Sequence, residues 1–258
     1  MIDIHTHIIP RIDDGSKDEG MTLKMLEKAV ESGTTKIILT PHYFRGRFME
    51  SLKHVKQHAE YVKKIARYND IEIEIYVGQE IYFTPSLLED LKDGEIGTLN
   101  DSRYMLIELD MAEIEDCTLD VVYELKLKGI TAVIAHPERY LEFQKKPSKI
   151  NEYIDDGCLF QLNAGSIGGV LGNASKELAE LYLKRGIYSF IGSDAHSDGR
   201  RNTNMKQFVQ TIDKINPSFI KTSVENAQKL LNDEKVSFTG EKIELKKKKK
   251  GLFSFFRK

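Results

Sequence analysis

The sequence predicts an α/β protein of barrel type, with seven parallel strands alternating with helices and its chemistry at the C-terminal ends of the strands. Three observations predict it. Seven short apolar runs, rich in β-branched and aromatic residues, alternate with helix-patterned segments along the 258 residues. Several runs are apolar nearly throughout, as parallel strands covered on both faces are. His, Asp and Glu gather at the ends of nearly every run, which is where β/α barrels carry chemistry.

The strand runs are residues 2–4, 36–40 (KIILT), 71–78 (IEIEIYVG), 104–109 (YMLIEL), 131–135 (TAVIA), 159–163 (LFQLN) and 188–192 (YSFIG). Helical spacing of apolar residues fills 22–32, 52–68, 85–91, 119–128, 147–156, 175–185, 205–215 and 224–232. Gly33, Gly129, Gly157 and Gly186 stop four of these helices just before a strand, and Thr84 is a candidate cap for the helix at 85–91. A βαβ series of this kind implies right-handed crossovers between parallel strands.

Composition narrows the class. With 40% apolar residues the chain can bury a large core, and no apolar run approaches the roughly 20 residues of a membrane span. A strand-like run begins at once, so no signal peptide is expected. Cys117 and Cys158 are isolated, as in a reducing cytoplasm. Neither starts a C-x5-R: six residues on stand Tyr123 and Ala164, which excludes a phosphocysteine mechanism. Residues 241–258 hold eight Lys/Arg and two Glu, a net of +6, so the preceding 240 residues carry −8. An acidic body argues against nucleic-acid binding. The expected division is a barrel over 1–240 and a basic, aromatic tail over 241–258.

The strand ends carry a consistent chemistry. The first gives His5 and His7, two apart and so on one strand face, about 6–7 Å apart at the backbone, with Asp13 and Asp14 in the following loop. The second gives T-P-H with His42, the third G-Q-E with Glu80, and the fourth carries Glu108. The fifth gives A-H-P-E-R with His136 and Arg139, the sixth N-A-G, and the seventh S-D-A-H with Asp194 and His196. Five of the seven histidines thus stand at strand ends. Imidazole with carboxylate suits zinc, manganese or iron. Nine such groups, counting one of the two loop aspartates, are too many for one ion, and a bridging carboxylate lets them hold two or three, a cluster that activates water and clamps a phosphate. Other features read as structural. His54 and His58 lie i, i+4 on a lysine-rich helix without an H-E-x-x-H pattern. The glycine-rich 163–169 lacks G-K-[ST], so it is not a nucleotide loop, and reads as a plain strand-to-helix loop, with a backbone N–H cradle for phosphate the alternative. Tyr43, Phe44 and Tyr82 read as core residues near the mouth, with ring stacking on a substrate the alternative. Arg45 and Arg47 fit either an acidic-substrate guide or plain loop residues.

In order, H-T-H, D-D-G-S, T-P-H, G-Q-E, H-P-E-R and S-D-A-H resemble the polymerase-and-histidinol-phosphatase (PHP) superfamily. Within it, the chain is most similar to the metal-dependent tyrosine-protein phosphatases of bacterial capsule and exopolysaccharide operons, from residue 1 to about 232. The resemblance implies a distorted seven-stranded β/α barrel. It also implies a trinuclear site: His5, His7, Asp194 and bridging Glu80 for one ion, Glu108 and His136 joining Glu80 for a second, and Asp14, His42 and His196 for a third. Many relatives have His where Asp14 and Glu108 stand, so this branch points to phosphotyrosine. The extra carboxylates favour manganese or iron over zinc alone. Arg139 and Arg201 resemble the phosphate clamps, and a metal-bridging hydroxide is the expected nucleophile. The implied partner is a phosphotyrosine protein, a membrane-associated bacterial tyrosine kinase. The expected location is cytoplasmic, at the inner face of the membrane if the tail, residues 246–258, tethers it there through five lysines and four apolar side chains; the plain reading of the tail is a solvated segment. A histidinol-phosphate-type phosphatase is the runner-up, and a non-catalytic metal-stabilised binding domain comes third.

Overall fold

The computed structural model describes residues 1–244, so the predicted tail at 246–258 lies outside the described residues. The order is β1 (Ile2–Thr6), α1 (Glu19–Glu31), β2 (Lys36–Leu39), β3 (His42–Tyr43), α2 (Leu52–Tyr68), β4 (Glu74–Val77), β5 (Glu80–Tyr82) and α3 (Leu87–Lys92). Then come β6 (Tyr104–Glu108), α4 (Thr118–Leu127), β7 (Thr131–Ala135), α5 (Leu141–Lys145), α6 (Ile150–Asp155), β8 (Leu159–Asn163), α7 (Ala164–Ile167), α8 (Asn173–Lys184), β9 (Phe190–Gly192), α9 (Lys206–Ile215) and α10 (Phe219–Leu231).

Every strand pairing is parallel. One sheet runs β1-β2-β4 and the other β3-β5-β6-β7-β8-β9. The described residues therefore contain nine strands where seven runs were expected. The difference has a local cause. The runs at 36–40 and 71–78 each continue past a break into a second short strand. Pro41 has no N–H for a ladder. Gly78 sits so close to Leu99 that a Cβ would come within 2.6 Å of Leu99 Cδ2. The two sheets stay joined across these breaks, as Gly78 N–H donates to the Leu39 carbonyl at 2.8 Å and Glu80 N–H to the Pro41 carbonyl at 3.1 Å. The far ends also meet. Asp194 N–H donates to the His5 carbonyl at 2.8 Å and His7 N–H to the Ala195 carbonyl at 3.0 Å, so β1 lies beside the end of β9. The result is a curled parallel sheet wrapped by helices.

Strand alternation divides the core. Ile4, Ile38, Leu106, Val133, Leu159 and Phe190 fill the concave side, closed from below by Ala227 and Leu230 of α10. The alternate residues Met105, Ile107, Ile134, Phe160 and Leu162 pack outward under the helices. Ile37 and Leu39 meet Met25 and Leu26 of α1 and Val55 and Val62 of α2. The concave face thus turns polar only at its upper rim, where the next inward positions are Glu80, Glu108, Gln161 and Asn163, all buried.

Helix boundaries follow capping chemistry. Asp18 caps α1 by accepting from Met21 N–H, and Ser51 caps α2 from His54 N–H. The cap expected of Thr84 is not made by its side chain: α3 starts later, and Leu87 N–H is bonded to the Thr84 carbonyl. The helix expected at 224–232 starts earlier, at Phe219.

Candidate metal centre

All nine predicted metal-binding groups gather in one cluster at the rim, buried at His5, His7, Glu80, His136 and Asp194 and open to solvent at Asp14. Glu80 Oε2 lies 3.1 Å from His5 Nε2, 3.2 Å from His7 Nε2 and 3.0 Å from His42 Nδ1. Its other oxygen is 3.0 Å from His136 Nε2, which is itself 3.5 Å from Glu108 Oε1. Asp194 Oδ1 stands 3.5 Å from His7 Nε2 and 3.4 Å from His196 Nδ1. Asp14 Oδ1 stands 3.5 Å from His42 Nε2 and 3.4 Å from His196 Nε2. Three subsets present ligand atoms close enough to share an ion: His5, His7, Glu80 and Asp194; His7, Asp14, His42 and His196; and His42, Glu80 and Glu108.

These distances test whether metal fits. Glu80 Oε2 and Asp194 Oδ1 are buried and make no directed hydrogen bond, although imidazole nitrogens crowd around both. His5 Nε2 and His7 Nε2 face one another at 3.2 Å. Two ligands about 2.1 Å from one ion at a tetrahedral angle stand about 3.4 Å apart. Lone pairs aimed at a common point, rather than at each other's protons, are what a donor set for metal requires.

Protonation agrees. Burial alone would raise the carboxyl of Glu80, but His5 and His42 more than offset it and hold it well below the usual range. Asp194 is likewise held low against burial, chiefly by Arg201 and His5. A hydrogen bond from His196 depresses Asp14. Burial drives His136 and His42 down to about 4, so both are neutral imidazoles near pH 7. Ionised carboxylates and neutral imidazoles are the ligating forms. Three groups depart from this: His5 and His7 are raised above the usual imidazole range, burial being outweighed by Glu80 and Asp194 at His5 and chiefly by Asp13 at His7, and Glu108 is pushed well above its usual range by burial and by Glu80. A cation between the two carboxylates would relieve that repulsion.

Backbone and neighbouring side chains fix these groups. His136 and Asp194, just past the ends of β7 and β9, both have left-handed backbone, at φ 31° and 50°. Such conformations cost about 1–3 kcal/mol and persist where surroundings enforce them. Gln161 Oε1 accepts from His5 Nδ1 at 2.9 Å and from His136 N–H at 3.3 Å. Asp13 Oδ2 pairs with His7 Nδ1 at 2.7 Å and accepts His42 N–H at 3.0 Å. Asn163 donates to Asp194 Oδ2 at 2.7 Å. Tyr140 is fully buried, its hydroxyl bonded to the Ala135 carbonyl and the Leu109 N–H. Motif reading did not assign Gln161, Asn163 or Tyr140 to the site and left Asp13 without a role. The available signal was a polar residue on the inward face of an otherwise apolar strand, as in L-F-Q-L-N.

A cleft of about 220 Å³ opens above the cluster, lined by Asp14, His42, Glu108, Asp194 and His196 together with both predicted arginines. Arg139 and Arg201 each reach Asp194 Oδ2, at 3.2 and 2.7 Å. Phe44, Arg47, Phe48, Tyr82 and Met111 complete the lining. Of the aromatic trio, Tyr43 is core, whereas Phe44 and Tyr82 are half-buried in the cleft. Arg45 is committed to Asp90 and Glu89 of α3. His54 and His58 are exposed on α2, away from the cluster. Residues 163–169 form a turn of helix capped by Asn163. Neither cysteine belongs to the cleft, and burial pushes the Cys158 thiol up.

A curled parallel β/α sheet with imidazoles and carboxylates gathered at its C-terminal rim defines a metal-centred protein of the barrel class. The family model for capsular polysaccharide synthesis, CpsB/CapC, matches residues 1–232. The chain belongs to that family, the one its ordered motifs resemble. It is 32% identical to the tyrosine-protein phosphatase YwqE of Bacillus subtilis, over 99% of this chain and 100% of that one. It is 33% identical to the tyrosine-protein phosphatase CpsB of Streptococcus pneumoniae, over 83% of this chain and 90% of that one. Among solved structures it superposes with a TM-score of 0.90 and 31% identity on one described as YwqE from Bacillus subtilis and CpsB from Streptococcus pneumoniae, metal-dependent tyrosine phosphatases; 95% of this chain and 100% of that one are covered. A D-hydantoinase shares the fold at a TM-score of 0.51 and 14% identity, with 93% of this chain and 72% of that one covered.

Proposed function

We propose that this chain is a metal-dependent, cysteine-independent protein-tyrosine phosphatase acting in capsule or exopolysaccharide synthesis. The observation that carries the reading is a cleft lined by two arginines and five of the nine predicted ligand groups, opening directly above the buried remainder, in a family whose relatives carry that name. We assign His5, His7, Asp194 and Glu80 to one divalent ion, Glu80, Glu108 and His136 to a second, and Asp14, His42 and His196 to a third. His7 approaches the last group as well. Manganese or iron suits the carboxylate-rich set better than zinc alone. Bound ions would supply an activated water and screen the phosphoryl oxygens.

The protein's own part is positioning. The Arg139 and Arg201 guanidinium groups take phosphoryl oxygens as planar forks, and Asp194 holds both in place. A tyrosine phenolate leaves with a conjugate acid near pKa 10, so the reaction asks little of a general acid. We take β2 with β3, and β4 with β5, as two broken strands, which gives the seven strand positions of a distorted PHP barrel over 1–240. The first residues of the predicted tail pack back on the body, Glu241 N–H on the Arg185 carbonyl at 2.8 Å and Ile243 N–H on Asn151 Oδ1 at 2.9 Å. No helix among the described residues is long and apolar enough to cross a membrane. A membrane-associated bacterial tyrosine kinase is the substrate we assign, with the basic tail beyond residue 245 holding the enzyme at the inner membrane face.

The test is hydrolysis by the manganese-loaded chain of a phosphotyrosine peptide, a phosphoserine peptide and histidinol phosphate. Turnover of the first, lost on chelation, is expected. Turnover of histidinol phosphate alone would overturn the reading.

A further inference from the structure

The cleft has two unlike sides. Arg139 and Arg201 come from the ends of β7 and β9. From the other end of the sheet come four half-buried apolar side chains, Phe44, Phe48, Tyr82 and Met111. Strand alternation places the first of these. His42 and Glu80 face each other across β3 and β5. Two residues further on, Phe44 and Tyr82 emerge on the same face as those ligands. Their rings stack at a centroid distance of 4.0 Å and an interplanar angle of 17°.

The pair is held rigid from several directions. The Tyr82 hydroxyl donates to Asp110 Oδ2 at 2.5 Å. Phe44 and Phe48 exchange backbone hydrogen bonds at 2.6 and 2.9 Å, closing a tight loop. Arg45, inside that loop, is bolted to Asp90 at 2.8 Å and Glu89 at 3.1 Å. The Phe48 ring lies nearly parallel to the His42 imidazole, at 5.9 Å and 10°. Core packing does not account for these rings, because their outward neighbours Tyr43 and Ile81 are the ones in the core. Rigid aromatic surface left in a cleft beside a phosphate site is suited to a flat apolar group attached to that phosphate.

We propose that Phe44, Phe48 and Tyr82 form an aryl wall that grips the ring of the phosphotyrosine, making Phe44 and Tyr82 specificity-determining residues. The proposal rests on the phosphatase reading above and deepens it. A phosphoserine brings no ring to this wall and draws the peptide backbone down into the cleft instead. The wall therefore selects aryl over alkyl phosphate monoesters, independently of how well the leaving group departs.

The test uses binding, which needs no turnover. Dissociation constants of phenylphosphonate and methylphosphonate are measured by calorimetry on the full-length, manganese-loaded chain and on Phe44→Ala, Tyr82→Ala and Tyr82→Phe. Both alanine variants are expected to weaken phenylphosphonate about two- to tenfold, the range of an aromatic contact, and to leave methylphosphonate unchanged. Tyr82→Phe, which keeps the ring, is expected to recover most of the preference lost in Tyr82→Ala. Equal weakening of both ligands, or no change in either, would overturn the wall. Wild-type chain that binds both ligands with the predicted preference but hydrolyses no phosphotyrosine would instead overturn the phosphatase reading and leave the wall standing.

Discussion

Tyr140→Phe removes one oxygen atom and tests how the two central ligand strands are clamped. The Tyr140 side chain is fully buried. Its hydroxyl donates to the Ala135 carbonyl at 2.8 Å and accepts the Leu109 N–H at 3.0 Å. Leu109 follows Glu108, and Ala135 precedes His136, so one hydroxyl ties together the backbones that carry two ligands. The ring also packs edge-on against His136 at 5.8 Å, and the substitution keeps that contact. What it removes is two hydrogen bonds of about 0.5–1 kcal/mol each, and it leaves a buried N–H unsatisfied at a further cost of about 1 kcal/mol. The expected loss is about 2–3 kcal/mol. With a slope near 3 kcal/mol/M for a chain of this size, the urea midpoint falls by about 0.7–1 M. The measurement is made in chelator, so that metal binding does not mask it. Manganese affinity, measured separately by competition with a chelating dye, falls about tenfold as the two ligands lose their common anchor. A loss under about 0.5 kcal/mol with unchanged metal affinity would refute the clamp.

Gln161→Ala deprives His5 Nδ1 of its acceptor and is expected to weaken manganese binding about 10–100-fold, read by the same competition. Gly192→Ala would put a Cβ 2.6 Å from His5 Cβ and 3.3 Å from His5 N; forcing β9 away from β1 is expected to cost about 1–3 kcal/mol, seen as a lower denaturation midpoint. Glu138 is buried, and burial raises its carboxyl to about 7 against partial offsets from Ser166, Tyr188 and Asn163. Its folded-state pKa exceeds its unfolded value, so folding loses stability as pH rises from about 4.5 through about 7. Glu138→Gln abolishes that titration, and its stability relative to the parent should rise across this window by up to about 3 kcal/mol. Parallel pH-stability profiles for the two proteins would contradict it.

The convergence of the nine groups was legible because strand-end chemistry needs no knowledge of tertiary distance. A His or Asp just past an apolar run must face the same rim as its counterparts if the strands are parallel. Parallel strands put His5 and Asp194, far apart in the chain, at one rim; the family resemblance assigns them to one ion, and the structure brings them to 3.6 Å of each other. The strand breaks were not legible. Pro41 and Gly78 read as ends of strands, and only the neighbouring ladder shows that the chain resumes its direction beyond them. Those breaks put His42 and Glu80 at the starts of short strands, where alternation carries Phe44 and Tyr82 into the cleft; without the break both aromatics read as core. Gln161 escaped notice for a related reason. Its amide sits inside an apolar pattern, and its meaning depends on His5 standing across the barrel. The helices were placed well where a cap and a terminating residue flank them, as at Leu52–Tyr68, and less well at α10, whose first turn carries no side-chain cap.

The contact between β1 and the end of β9 bears on how the molecule is made. The nearest neighbours of His5 and His7 across that seam, Asp194 and His196, are synthesised nearly last among the core elements. A chain emerging from the ribosome can assemble β2 to β8 while the metal site is still missing two of its walls. Closure of the seam depends on contacts between the two ends of the fold, which are slow to form. Once closed, an ion present at 100 times its dissociation constant adds about 2.7 kcal/mol to the folded state. An ion bound there would work as a clasp on the circle, holding the first strand and the last together.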